Sequence, residues 1–184
     1  TLQPGLIATP VILVLFARKP DAVGALGVVA AAAALAAQPD RGVAGAFALA
    51  LAVLLATRPA PWTALSAAAA AAAFAWTLIV PDRVPPVPFV EGVFASAFAF
   101  HPLAGAAVAV AAAMLLTPAV SALRAGPETR APLLAFAAGW AGLTAAAALG
   151  PYPTPLIGAG ASAVLGYLVS AALLPLRVPF IPKA

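Results

Sequence analysis

Long apolar stretches alternate with short polar ones along the whole chain of 184 residues. The apolar stretches cover residues 3–16, 22–37, 42–57, 61–80, 89–123, 132–149 and 155–176. Prolines and charges fall together in the interruptions, and since proline cannot donate to a helix ladder, these positions mark helix boundaries. The apolar stretches lack two-residue alternation and are rich in alanine, the strongest helix former. The pattern therefore predicts an all-α bundle forming a single domain over residues 1–184.

The composition indicates what surrounds this bundle. Hydrophobic residues make up 65% of the chain and charged residues 8%, with a mean hydropathy of +1.10, whereas soluble domains are ~45–50% apolar and ~25% charged. So few charges cannot cover a soluble globule, which excludes a soluble enzyme and a disordered tail. We expect a polytopic integral-membrane protein of a prokaryotic inner (plasma) membrane, with bound lipids. Stretches 22–37 and 42–57 are short for a crossing of about 17–25 residues, so they must borrow flanking residues or lie in a locally thin bilayer.

The distribution of cations predicts the number of crossings and the orientation. If stretch 89–123 is one crossing broken near Pro102, the chain has seven crossings. One face then carries seven cations, namely Arg18, Lys19, Arg58, Arg124, Arg130, Arg177 and Lys183, and the other carries Arg41 and Arg83. Two crossings in that stretch would instead place three cations on one face and six on the other. Cytoplasmic loops carry the excess of Lys and Arg, which favours seven crossings with the N-terminus outside and the C-terminus cytoplasmic.

Few side chains in this sequence are suited to catalysis or to binding a metal. The net charge of +4 comes from cations scattered singly between apolar runs, unlike the basic clusters that bind nucleic acid. The chain has no cysteine and a single histidine, which removes thiolate chemistry and leaves too few ligands for zinc or di-iron sites. We therefore predict no catalytic residue, no metal site and no resident cofactor.

His101 is the one candidate for binding a cofactor. A small residue, Ala97, precedes it by four positions, which resembles the way antenna polypeptides hold a chlorophyll magnesium. A pigment or a haem is therefore one interpretation. The other, which we favour, is that His101 occupies a helix break, where it donates a hydrogen bond to a carbonyl freed by Pro102.

Glu91 is the sole carboxylate inside an apolar stretch. An acidic residue at membrane depth is costly and is a functional candidate for that reason, so Glu91 is a candidate polar site. It lies three residues after Pro88, at the edge of the longest polar interruption. This position favours a carboxylate in the first turn of a helix, near the headgroups and facing the positive end of the helix dipole.

The last apolar stretch carries a stripe of small residues at four-residue spacing: Gly158, Ser162, Gly166 and Ser170. In lipid such a stripe lets another helix approach closely. The spacing leaves open whether that helix belongs to this chain or to another integral-membrane subunit. Trp62, Trp76 and Tyr152 fall near the ends of predicted helices, where interfacial anchoring accounts for them.

Two segments resemble the SEDS family of cell-shape and division glycosyltransferases, and the resemblance covers about residues 80–176. Residues 155–164, Pro-Leu-Ile-Gly-Ala-Gly-Ala-Ser-Ala-Val, are similar to the family signature Pro-Phe-Ile-Ser-Tyr-Gly-Gly-Ser-Ser-Leu. Residues 80–83 and 89–93 are similar to its Leu-Pro-Glu-Arg loop and the following helix. Pro88 stands where the family has its essential Asp, and the ten-helix body is shortened. The resemblance therefore implies a non-catalytic relative.

These features favour a non-catalytic accessory or scaffold subunit of a larger membrane complex, which packs through small-residue helix faces. The alternative is a transporter or lipid-handling protein, SEDS-like and acting on a polyprenyl-linked sugar, in which Glu91 and the break at Pro102 line a cavity. A pigment-binding or haem-binding subunit using His101 is the second alternative.

Overall fold

The computed structural model of this chain describes residues 3–80, 90–157 and 160–175. Nine α-helices and no strand occur in these residues. The helices are α1 (Pro4–Arg18), α2 (Ala22–Ala37), α3 (Arg41–Thr57), α4 (Pro61–Ile79), α5 (Val93–Phe100), α6 (Pro102–Met114), α7 (Thr117–Ala122), α8 (Pro127–Leu149) and α9 (Ala161–Ala172). The prediction of an all-α fold is confirmed.

The polar interruptions start the helices through caps and prolines. Asp21 accepts a hydrogen bond from Gly24 N at 2.9 Å and so caps α2, and Asp40 accepts one from Val43 N at 3.0 Å and so caps α3. Aspartate is among the best N-cap residues because it satisfies N–H groups that have no partner within the helix. Proline occupies the first position of α4, α6 and α8, where its missing N–H costs nothing.

Two predicted stretches differ from the observed helices. Helix α8 begins at Pro127, five residues before the predicted start, and tolerates Pro132 in its second turn. Helix α9 begins only at Ala161, whereas the apolar stretch begins at residue 155. Residues 153 and 154 instead pair with residues 90 and 91, so tertiary contacts override the apolar pattern there.

The core is built on α3 and α8, which run antiparallel. A Cβ added at Gly142 of α8 would lie 2.7 Å from the Ala46 Cα of α3, so the two backbones touch at this point. Helix α1 packs on α3, α8 and α9, while α4 packs on α2 and α3. Trp140 and Phe136 of α8 are almost fully buried in this core.

The charged groups gather at two opposite ends of the bundle. Arg58 Nη1 donates to the Ala17 and Arg18 carbonyls at 3.3 and 3.2 Å, and Arg18 Nη1 donates to the Leu173 carbonyl at 3.1 Å. We call this the basic end; its described cations are Arg18, Lys19, Arg58, Arg124 and Arg130. Arg41 lies at the other end, where its guanidinium donates to the Thr77 carbonyl. Arg83, Arg177 and Lys183 lie outside the described residues.

The stretch 93–122 is interrupted twice. His101 is extended, with φ −163° and ψ 137°, so that α5 and α6 fold back on each other as a hairpin, with Phe98 over Gly105. A break next to Pro102 is confirmed, whereas the prediction that this stretch makes one broken crossing stays a prediction. A second, unpredicted break falls at Leu115 and Leu116. The chain enters this stretch beside residues 153 and 154 and leaves it at Arg124, so it makes one net passage between the two ends.

Two of the helices in the described residues, α4 and α8, are long enough and apolar enough to cross a membrane. Half of the most apolar window of α8 is buried inside the bundle, against 28% for α4. Five further apolar helices have 10–17 residues, which is short for an independent crossing. Seven crossings, and the orientation derived from them, stay predictions.

Candidate functional site

A cavity of about 150 Å³ opens at the end of the bundle that holds Arg41. Its polar lining comes from five side chains: Gln3, Gln38, Asp40, Glu91 and Tyr152. Its apolar floor includes Leu6, Val43, Leu143 and Ala146, from α1, α3 and α8. We call it the polar cavity. It brings two carboxylates and two side-chain amides together over an apolar floor.

Asp40 and Gln3 are held in the cavity wall by helix starts. One carboxylate oxygen of Asp40 caps α3, while the other faces the start of α1, where a Cβ added at Gly5 would lie 3.7 Å from it. Gln3 precedes α1, and its backbone N donates to Ser162 Oγ at 2.8 Å, which joins α1 to α9. The Asp40 carboxylate is therefore fixed by its cap, and the backbone of Gln3 is fixed by its hydrogen bond to α9.

Glu91 lies before helix α5, so the expectation that it occupies a first turn is wrong. Helix α5 begins at Val93 and has no acidic residue in its first turn. Gly92 has φ +67°, a left-handed conformation that favours glycine and turns the chain before the helix starts. Glu91 forms a bridge with Pro153, and Thr154 N donates to the Val90 carbonyl at 3.0 Å. These contacts place Glu91 in the polar cavity.

Tyr152 lines the cavity and packs against a glycine of α3. A Cβ added at Gly42 would lie 2.7 Å from Tyr152 Cδ1, so this position has room only for glycine unless the ring moves. The sequence indicated an interfacial anchor at Tyr152. Residues 39–42 predicted only a helix boundary, although Asp40 and Gly42 line the cavity. The clustering of polar residues around Pro39 is the feature of the sequence that could have indicated a site there.

His101 lies at the apex of the α5–α6 hairpin, away from the polar cavity. Its Nδ1 accepts a hydrogen bond from Leu103 N at 3.2 Å, which caps α6. The observed bond runs opposite to the expected one, because the ring accepts from a backbone N–H of α6, whereas we expected it to donate to a carbonyl freed by Pro102. Nε2 is the nitrogen left for a ligand. The described ranges hold no group of three or more His, Asp or Glu that could bind a metal, and a pigment or haem stays a prediction.

Two members of the small-residue stripe contact α1, and a third is buried. Ser162 accepts from Gln3 N, Ser170 is fully buried, and a Cβ added at Gly166 would overlap the Leu6 carbonyl oxygen. That carbonyl is available because Pro10, four residues later, has no N–H to donate to it. The stripe thus packs within the chain. Gly158 lies outside the described residues.

The basic end is stabilised by hydrogen bonds to helix termini. The guanidinium groups of Arg18 and Arg58 reach carbonyls at the ends of α9 and α1, where positive charge is favourable. Asp21 has a pKa held below its ordinary value of 3.8, mainly by the Gly24 N–H and also by Lys19, whose Nζ lies 3.3 Å away. Asp21 therefore stays ionised and offsets part of the positive charge.

Comparison of the chain with protein-family models, with curated proteins and with solved structures finds no match. The features that bear on the function of this protein are therefore the polar cavity, the α5–α6 hairpin and the basic end.

Proposed function

We propose that this chain is an integral-membrane protein that acts as a non-catalytic accessory subunit of a larger membrane complex. The charged groups of the described residues gather at the two ends, and large apolar side chains are exposed on the helix flanks between them. Helices α4 and α8 have the length and composition of membrane-crossing helices. Under the positive-inside rule the basic end faces the cytoplasm.

The observation that carries the subunit proposal is the apex of the α5–α6 hairpin. No backbone N–H in the described residues reaches the carbonyls of Phe98, Ala99 and Phe100. Around these carbonyls the apolar side chains are exposed, with Phe100 at 85% and Leu103 at 74%. Carbonyls without donors are costly in lipid, and large apolar side chains are unfavourable in water. A helix of a second membrane chain that carries hydroxyl or amide donors hydrogen-bonds to these carbonyls and also covers the exposed apolar side chains.

Photo-crosslinking tests this proposal. A photoreactive residue replacing Leu103 should give a discrete crosslinked product with a second protein in native membranes. The matched control is Leu26 of α2, which is 70% exposed and should give only lipid adducts. A discrete product from both positions would indicate random collision. Purification as a monomer in mild detergent, with no discrete product from Leu103, would rule the subunit proposal out.

The polar cavity supports a second candidate function, the handling of a polyprenyl-linked sugar. Its volume of about 150 Å³ matches cavities that accommodate a six-membered ring. Carboxylates and amides are suited to accept hydrogen bonds from sugar hydroxyls, and the apolar flank of the bundle can take a polyprenyl chain. The segment around Glu91 and the segment from residue 155 are also the two that resemble the SEDS family. Two carboxylates disfavour a phosphate inside the cavity, so the sugar is the part that enters.

Glu91→Gln tests the second candidate. A hydrogen bond to a charged group contributes about 1.5–3 kcal/mol, so the variant should bind a labelled polyprenyl-linked sugar roughly 10- to 100-fold more weakly. Glu128→Gln makes the same change in an exposed residue at the start of α8 and should leave the affinity within about twofold. Affinity can be followed by fluorescence anisotropy in detergent. Equal affinities of the wild type and Glu91→Gln would exclude a role for Glu91 in sugar binding.

A further inference from the structure

We propose that a second cavity, at the basic end, binds the phosphate of an anionic membrane phospholipid. This cavity has a volume of about 410 Å³. Its polar lining is Ser121, Arg124 and Thr129, and its apolar lining includes Val120, Leu133 and Pro175. It lies between the end of α7, the start of α8 and the segment after α9. We call it the basic-end cavity.

The three polar groups of the basic-end cavity are available to a ligand. Within the described ranges the Arg124 guanidinium has no carboxylate at ion-pair distance, and the hydroxyls of Ser121 and Thr129 make no hydrogen bond to another described group. A guanidinium presents planar paired donors that match phosphate oxygens, and hydroxyls add single donors. Together they form a donor set suited to a phosphate group.

The surrounding charge also favours an anion in the basic-end cavity. Thr129 stands in the first turn of α8, a helix of 23 residues whose N-terminal end carries partial positive charge. Arg130 follows directly, and the remaining cations of the basic end lie on the same side of the bundle. Glu128 is the one carboxylate in that first turn, but it does not line the cavity.

The apolar wall distinguishes a lipid from inorganic phosphate. Val120 and Leu133 flank the donors, and Leu123 beside them is exposed on the flank of the bundle. An acyl chain can follow this flank while its phosphate contacts Arg124, an arrangement that phosphate alone cannot use. Cytoplasmic leaflets are rich in anionic lipid, which basic ends attract. The inference rests on the proposed membrane location and not on the partner or on the polar cavity.

Lipid retention by the purified full chain tests this inference. We expect the wild type in mixed detergent micelles to bind phosphatidylglycerol at least about tenfold more tightly than phosphatidylcholine. Arg124→Gln should lower the phosphatidylglycerol affinity roughly tenfold. Arg130→Gln makes the same change of charge four residues beyond Gly126, outside the cavity lining, and should lower the phosphatidylglycerol affinity by less than about twofold.

Several results would overturn the inference. Equal losses in Arg124→Gln and Arg130→Gln would indicate diffuse attraction, and equal binding of both lipids would remove the phosphate preference. Binding of inorganic phosphate as tight as that of phosphatidylglycerol would assign the cavity to free phosphate. If Arg124→Gln does not fold, the combined variant Ser121→Ala and Thr129→Val should show the same selective loss. The crosslinking at Leu103 concerns another surface, so it tests the subunit proposal independently of lipid binding at the basic-end cavity.

Discussion

Replacing Trp140 with alanine is expected to lower the free energy of unfolding by about 3–5 kcal/mol. The indole is 1% exposed and lies in the core between α8 and its neighbours. Its ring centroid is 6.2 Å from that of Phe136 and 5.2 Å from that of Tyr167, in tilted and edge-on arrangements that aromatic pairs prefer. Alanine removes these contacts and leaves a cavity that rigid helices cannot close.

Trp76 provides the matched control for Trp140. It lies on α4 and is 53% exposed, so Trp76→Ala should lower the free energy of unfolding by about 1 kcal/mol or less. Thermal unfolding in one detergent, followed by the loss of the monodisperse peak in size-exclusion chromatography, compares the two. Melting temperatures that fall equally in both variants would mean that Trp140 is not a core residue.

Gly166→Ala is expected to lower the free energy of unfolding by about 2–3 kcal/mol. The added methyl group would overlap the Leu6 carbonyl oxygen and approach the Ile7 Cα at 3.3 Å. These are backbone atoms, so no side chain can rotate away and α1 must separate from α9. That separation also stretches the hydrogen bond of 2.8 Å from Gln3 N to Ser162 Oγ.

Gly27 of α2 is the control for Gly166. A Cβ added there meets nothing within 4 Å, so Gly27→Ala should stabilise the protein by about 0.5–1 kcal/mol through the better helix propensity of alanine. The same thermal unfolding measurement applies. A Gly166→Ala variant as stable as the wild type would contradict the close contact between α1 and α9.

The boundaries of α2, α3 and α4 could be predicted from sequence because local groups set them. Asp21 and Asp40 cap α2 and α3, and Pro61 starts α4. The predicted stretch 22–37 coincides with α2, and stretches 42–57 and 61–80 differ from α3 and α4 by one residue. Caps and prolines act within a few residues, so a single sequence contains the necessary information.

Features that depend on distant contacts could not be predicted in the same way. The break after α6 leaves the Leu115 carbonyl without a helical partner, and the Tyr167 hydroxyl of α9 donates to it at 3.2 Å. The spacing of Ser162, Gly166 and Ser170 predicted a packing face, but its partner became clear only from the carbonyl that Pro10 leaves available. The polar cavity combines four segments of the chain, which begin at Gln3, Gln38, Glu91 and Leu143, and of these only Glu91 stood out in the sequence as a candidate polar site.

The contact between α1 and α9 has a consequence for biosynthesis. Gln3 and Ser162, which join the two helices, are 159 positions apart. At about 5–20 residues per second, translation of that interval takes roughly 8–32 s. During this time the Leu6 carbonyl and the face of α1 around it lack the helix that covers them in the folded protein. A membrane chaperone or an insertase cavity that shields this face would protect the nascent chain from misassembly until α9 emerges.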